Sequence, residues 1–517
     1  MLHLKKEKGL NLPTLPVVFY KFLLIVSCCF YSLQAQRFAT LKQQFKFGGA
    51  EDNRAHTLLS DAQGNLFVAS TVFAAGAQVS EHFGGADIWI AALDASGKIT
   101  WERSLGGSYS DVPGAALLHN GSLHVVGASG SFLPREEAGD RQRNGDAFYV
   151  ALNAVNGSIE KYQTFGGSES DFASVLAVTA GNNILWGGHS FSSLALSNHS
   201  GIGANIWMQY LDTTLQQGFT AGGNADEFPI GLFATNENQW MLIAQSPLTS
   251  SAGAACPTYK PWFMSFNDSL KARKSILPNT RFSGRLHHAI RNEDGTFCLV
   301  GSTNTIESNP DFWWLKIAQN GEILAEKTWG GNGTEVLNRI AQCKDGGWVI
   351  SGWSTYYNLE DLNIKGGDDV RVLRLDPEGN LEWEKSIGGP GNERGMDVIE
   401  YMPGTFYVLA DKQISDMSDN STLWLIRLDE EECDVPELSP AWKVHGSSVF
   451  VGQYIQFSLG TEDRISCLWD FGDGTTSKES NPMKKYYRKG SFEVTLTLKG
   501  NGGCSKVMKI PEMIEVQ

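Results

Sequence analysis

The sequence predicts an all-β protein: a ring of seven small sheets followed by one separate β-sandwich. Three observations lead there. A unit of roughly 57 residues recurs seven times between Phe47 and Asp429, each unit alternates short apolar runs with glycine-rich turns, and the period stops at Asp429, where a different pattern begins.

Residues 1–35 have the form of an export signal. Lys5, Lys6 and Lys8 give the positive start, Phe22 to Leu33 the apolar stretch, and Leu33-Gln34-Ala35 a small-residue cleavage site. This stretch is too short to span a membrane, and no later one approaches that length. A lipoprotein signal at Ile25-Val26-Ser27-Cys28 is the alternative, which would leave a lipidated Cys28, but the residues after it stay apolar. The expected product is secreted, or held in the periplasm or on the outer surface. Its charge changes from −15 to −18 on loss of the +3 leader. So acidic a chain argues against nucleic acid and anionic membrane as partners.

The repeats, within a propeller region expected at 36–433, open with Gly-Gly and an acid three or four residues on in six of the seven copies. An apolar strand follows, as in Leu66 to Ser70 or Trp348 to Gly352, and then an aromatic-rich strand such as Asp87 to Asp94 or Asp369 to Asp376. The third strand carries an aromatic two residues after its start in every copy except at Arg371. Both alternating faces of that strand are apolar, so the sheet must be covered on both sides. A unit this short cannot bury two faces alone. Stacking each sheet between two neighbours can, which is the arrangement of a seven-bladed β-propeller. Arg374, Lys316 and Arg427 stand at one register of this strand, where one end of the face is expected to reach solvent.

An unpaired edge strand is an aggregation hazard. The outer strand that precedes a Gly-Gly, Trp101 to Leu105 or Trp383 to Ile387, has no counterpart after Asp429. Leu41 to Phe47 has that form at the other end of the array. It is expected to pair with the last blade and close the ring.

The blocks Asp345 to Gly352, Asp369 to Asp376 and Gly379 to Gly389 resemble the repeats of exported bacterial β-propeller proteins of the Bacteroidetes type. The resemblance covers about 390 residues, implies a propeller, and says little about function.

Beyond a linker at 434–440, residues 441–517 have the length and alternation of an immunoglobulin-like sandwich. The run Trp469-Asp470-Phe471-Gly472-Asp473-Gly474 resembles the hallmark of PKD domains. Trp469 and Phe471 are expected in the core, with Asp470 and Asp473 tying down a turn made tight by Gly472 and Gly474; a calcium site on one of these aspartates is the alternative. Cys467 and Cys504 are expected on neighbouring strands and joined by a disulfide. A Cys298–Cys343 bridge between adjacent blades is a weaker option, and Cys256 and Cys433 are unassigned.

No catalytic motif stands out, and no enzyme activity or metal site is expected. His287-His288 is the only histidine pair, and strand neighbours point to opposite faces. The repeated acids, among them Asp52, Asp111, Asp171, Asp226 or Glu227, Glu335 and Glu393, could form a ring that binds calcium or a basic partner. Alternatively, each carboxylate accepts amides of its own loop. Tyr356 and Tyr357 are candidate contacts in a long loop. The expected function is a non-catalytic exported or cell-surface scaffold whose propeller face binds a glycan or protein, with the PKD module as spacer or second contact. A polysaccharide-active enzyme and an envelope or secretion component are the alternatives.

Overall fold

The computed structural model describes residues 37–517 except 77, 132–144, 180–181, 193–202, 212–217, 223–225, 237–238, 248–257, 305–308, 332, 356–365, 416–417, 433–439, 445–448, 460–465, 501–504 and 511–512. The expected leader with Cys28, most of the linker, Tyr356, Tyr357, Cys256, Cys433 and Cys504 lie outside the described residues. Among the described residues every regular element is a strand. The described chain divides into two compact units, Arg37–Glu431 and Glu432–Gln517.

The larger unit begins with β1 (Arg37–Phe47), β2 (Asn53–Ser60), β3 (Leu66–Val72), β4 (Asp87–Leu93) and β5 (Ile99–Leu105). Strands β2 to β5 form an antiparallel meander in chain order. The same four-stranded pattern recurs from Asp111 to Phe165, Asp171 to Ala221, Phe228 to Ile276, Gly284 to Trp329 and Thr334 to Ile387. The fourth and fifth sets are joined by the single pair Tyr259–Gly284. The last three strands, Glu393–Met402, Thr405–Ser415 and Ser418–Glu432, have no fourth strand after them, and β1 pairs with Ser418–Glu432 in its place. This is the pairing expected of the N-terminal segment.

Alternation explains how one strand serves two cores. Every residue of β4 is buried. Trp89, Ala91 and Leu93 pack with Leu409 and Leu425 of the last set, whereas Ile88, Ile90 and Ala92 pack with Val125 and Phe148 of the second. Each further set likewise shares one core with the set before it and another with the set after it.

Several of the third-strand aromatics also tie their sheet to its outer strand. Trp89 Nε1 donates to Glu102 (2.9 Å), Trp262 Nε1 to Ser275 (2.7 Å) and Trp313 Nε1 to Glu326 (3.1 Å). In each case the acceptor stands directly opposite the residue two beyond the Trp, a diagonal cross-strand pair. In the last set Trp424 Nε1 donates to Gln44 of β1 (3.1 Å), so β1 fills the outer-strand role in side chains as well as backbone. Arg371, the exception to the aromatic rule, keeps the diagonal by pairing with Glu384.

Arg374 departs from expectation. Its side chain is 1% exposed rather than at a solvent end, and it pairs with Asp345, with Glu382 at 3.8 Å and Glu430 at 3.9 Å. The acids come from three separate segments, so neighbouring sequence gives no hint of them. Lys316 and Arg427 are partly exposed, at 20% and 28%.

In the smaller unit, Tyr454–Ser458 pairs with Ala441–Val444 and Met483–Lys485. Facing this sheet across the core, Ser466–Asp470 lies between Thr476–Ser477 and Thr495–Lys499, with Ser505–Lys509 beyond. Trp469 and Phe471 are buried and both contact Phe457, with ring centroids 5.4 and 5.2 Å apart. Asp470 accepts the Gly472 amide (2.9 Å), and Asp473 accepts the Thr475 amide (3.1 Å) and Lys484 Nζ (2.6 Å). Gly472 has φ +73°, and a Cβ there would meet Glu493 O at 2.4 Å, so glycine is required on both counts.

No disulfide is present among the described residues. Cys467 is a free, buried thiol. Its expected partner Cys504 lies outside the described residues. Cys298 and Cys343 are also free, buried in two different inter-sheet cores.

Candidate functional site

The first strand of all seven sets breaks register at the same place. The breaks fall at Ala55/Thr57, Pro113/Ala115, Ala173/Val175, Pro229/Gly231, Leu286/His288, Leu337/Arg339 and Gly395/Asp397. Each inserts one extra residue: His56, Gly114, Ser174, Ile230, His287, Asn338 or Met396. Such a bulge bends the strand and re-aims its side chains. The second strand accommodates it by close approach. In four copies the facing residue is Gly127, Gly188, Gly301 or Gly352, where a Cβ would lie 1.8–2.0 Å from a carbonyl oxygen of the first strand.

Five of these bulged segments line a cavity of about 260 Å³. Small residues on one side, Gly114, Ala115 and Ser174, leave the space; His287, His288 and Arg339 give it polarity on the other. Strict alternation would send His287 and His288 to opposite faces. The bulge between Leu286 and His288 removes the alternation and both line the cavity.

The polar groups are fixed by bonds from one bulge to the next. Asn338 Nδ2 donates to Gly395 O (2.7 Å), which turns its Oδ1 toward His287 Nδ1 (3.0 Å). His288 Nδ1 accepts the Ile340 amide at 3.4 Å. Arg339 pairs with Asp397 at 3.2 Å, and Asp397 in turn accepts the amides of Leu58 (2.8 Å) and Val398 (2.7 Å). Burial lowers His287 to about 4 and His288 well below its ordinary value, so both rings are neutral at neutral pH. Burial raises Asp397 above the usual carboxylate range even beside Arg339.

The repeated acids form no exposed ring. Asp111, Asp171, Glu335 and Glu393 are all buried, at 5% exposure or less. Asp111 accepts the Gly107 amide at 3.1 Å, Asp171 the Gly167 amide at 2.9 Å and Glu393 the Gly389 amide at 2.7 Å. In the first copy Asn53, not Asp52, does this, accepting Gly49 N at 2.7 Å, while Asp52 accepts from Ser421. In the fourth, Glu227 is the buried acid and Asp226 accepts the Ala204 amide.

A second carboxylate stands close by. A Cβ at Gly388 would lie 1.6 Å from Asp369 Oδ1 and 2.9 Å from Glu393 Oε2, so one glycine separates the two acids. Burial, with a smaller push from Asp87, raises Asp111 to about 6; burial, then Asp311, raises Glu335 to about 7. These pairs are joints between neighbouring sheets. Among the described residues no group of three or more His, Cys, Asp or Glu is placed to hold a metal ion.

Residues 439–514 match the PKD domain. Collagenase ColA of Bacillus cereus is 49% identical over 61 residues, 11% of this chain and 6% of the collagenase. Collagenase ColQ1 of the same species is 48% identical over 58 residues, 10% and 6% of the two chains. The chain thus spans only a small part of these relatives. Among solved structures, a protein of unknown function from Dyadobacter fermentans aligns over 76% of this chain and 99% of its own, at 9% identity and TM-score 0.40. The extracellular region of plexin A4 aligns over 92% and 67%, at 8% identity and 0.46. A polysaccharide lyase, PL25 ulvan lyase, aligns over 74% and 95%, at 10% identity and 0.43. No helix among the described residues is long and apolar enough to cross a membrane.

Proposed function

We propose that Arg37–Glu431 is a seven-bladed β-propeller and that the protein is an exported, non-catalytic binding scaffold, which takes a glycan or protein partner at the bulge-lined cavity. The PKD domain serves as spacer or second contact. Support for the propeller comes from the shared cores between successive sheets, the first and last included, and from β1 completing the last sheet.

One observation carries the non-catalytic reading. Hydrolysing a glycosidic bond by the usual acid–base pair needs carboxylates flanking the bond, and the elimination route is left to the assay below. Here the repeated buried carboxylates accept loop amides between sheets, and none of the described residues that line the cavity is a carboxylate. The test is to screen the full chain against glycan and surface-protein arrays, then incubate each hit with it and assay new reducing or unsaturated ends. Binding without turnover is expected. Chain cleavage would make the protein an enzyme and end the scaffold reading.

A further inference from the structure

Hydrogen bonding fixes which proton each cavity histidine carries. Asn338 directs its Oδ1 at His287 Nδ1, so that nitrogen bears the proton and His287 Nε2 is left as an acceptor. His288 Nδ1 accepts an amide proton, so its proton sits on Nε2, which is left as a donor. Two consecutive residues on one bulge therefore present one acceptor and one donor. A hydroxyl, which gives one proton and receives another, complements such a pair. A carboxylate or phosphate would set its lone pairs against those of His287 Nε2.

Charge points the same way. Arg339, the cation of the cavity, is already paired with Asp397 at 3.2 Å. Residues 37–439 carry 28 Lys and Arg against 48 Asp and Glu, a field that repels anions. The cavity, about 260 Å³, is below the ~300–1,000 Å³ of drug-sized sites and has room for a single small ring. Val175, Ile230 and Phe233 also line it and add apolar contact for such a ring.

We propose that the cavity binds one neutral sugar residue, free or at the end of a glycan, with a hydroxyl bridging His287 Nε2 and His288 Nε2. This rests on the reading of the cavity as a binding site and names its ligand class.

The experiment titrates the full chain with glucose, galactose, mannose and N-acetylglucosamine, and with glucuronate and galacturonate, by calorimetry. The histidine ring nitrogens are followed by NMR. At least one neutral sugar is expected to bind 1:1 with a Kd on the order of 1 mM or tighter, shifting the His287 and His288 ring signals. His287→Ala should weaken it about tenfold, as should His288→Gln, chosen to keep an acceptor for the Ile340 amide. The ring spectra of unmodified protein give a readout that does not depend on either variant folding. Binding of uronates alone, or sugar binding that leaves both ring signals unmoved, overturns the neutral-sugar assignment and leaves the scaffold reading standing. No binding by any of the six, with an array hit retained, overturns the assignment in the same way. A blank array as well overturns both.

Discussion

Removing residues 37–47 bares the outer edge of Ser418–Glu432 and takes three kinds of contact with it. Phe47, 7% exposed, leaves the core between the first and last sheets, a loss of about 2 kcal/mol. Trp424 Nε1 loses its Gln44 acceptor, which costs about 1–3 kcal/mol for a donor left in a mostly buried site. Thr422 loses its bond to Phe47 O and Thr40 its bond to Glu431, together about 1 kcal/mol. The loss of the backbone ladder bonds is offset largely because the shortened chain no longer bears the entropy cost of ordering those eleven residues. The total is about 5 kcal/mol. A unit of about 400 residues unfolds with an entropy of about 0.8 kcal/mol/K, so the melting temperature should fall by about 6 °C. Differential scanning calorimetry reads this directly, and light scattering should show self-association through the bared edge. A truncated chain that melts within 1 °C of the intact one and stays monodisperse would refute the role given to β1.

Three further outcomes are expected. Glu335→Gln should stabilise the protein at pH 8 by on the order of 2 kcal/mol, with most of the gain gone by pH 5. Glu335 is raised to about 7 in the folded chain against an ordinary value of 4.5, so its contribution is present at low pH and is lost as pH rises through 7, a loss the amide does not suffer. Melting curves of both proteins at the two pH values check the sign; a gain that is equal at both would contradict it. Arg374→Met should cost about 3–5 kcal/mol by leaving Glu382 and Glu430 without their buried cation, and Glu382→Gln on top should recover part of it; chemical denaturation gives both values. Cys298 and Cys343, with thiols that burial pushes up, the first to about 12, should resist alkylation in the folded chain and react at once in denaturant, as mass spectrometry would show.

Much of the fold was legible because repetition multiplies weak signals. One Gly-Gly or one apolar strand says little, but six Gly-Gly pairs and seven apolar strands at near-constant spacing define a repeated sheet, and the lone unmatched outer strand, Leu41 to Phe47, could be assigned by elimination. The cavity was not legible. A bulge adds one residue without changing composition: Leu286-His287-His288-Ala289 reads as ordinary alternation, and only its pairing with Leu299 to Gly301 shows that His287 is the extra residue. The signal that could have found it lies in Gly127, Gly188, Gly301 and Gly352, whose recurrence marks a close approach to the strand beside them. The acids were visible and their burial was not, because what buries them is the neighbouring sheet. Arg374 misled for the same reason.

Ser174 also lines the cavity and bonds only to Pro229 O, at 3.3 Å, among its described side-chain contacts. Ser174→Leu fills that space and leaves His287, His288 and Arg339 in place. Its affinity for the array hit, measured by calorimetry beside its melting temperature, bears most directly on the claim that this cavity is the binding site. A loss of tenfold or more, about 1.4 kcal/mol, with melting within about 2 °C of the unsubstituted chain, is the predicted result. Unchanged affinity in a folded variant would contradict the claim.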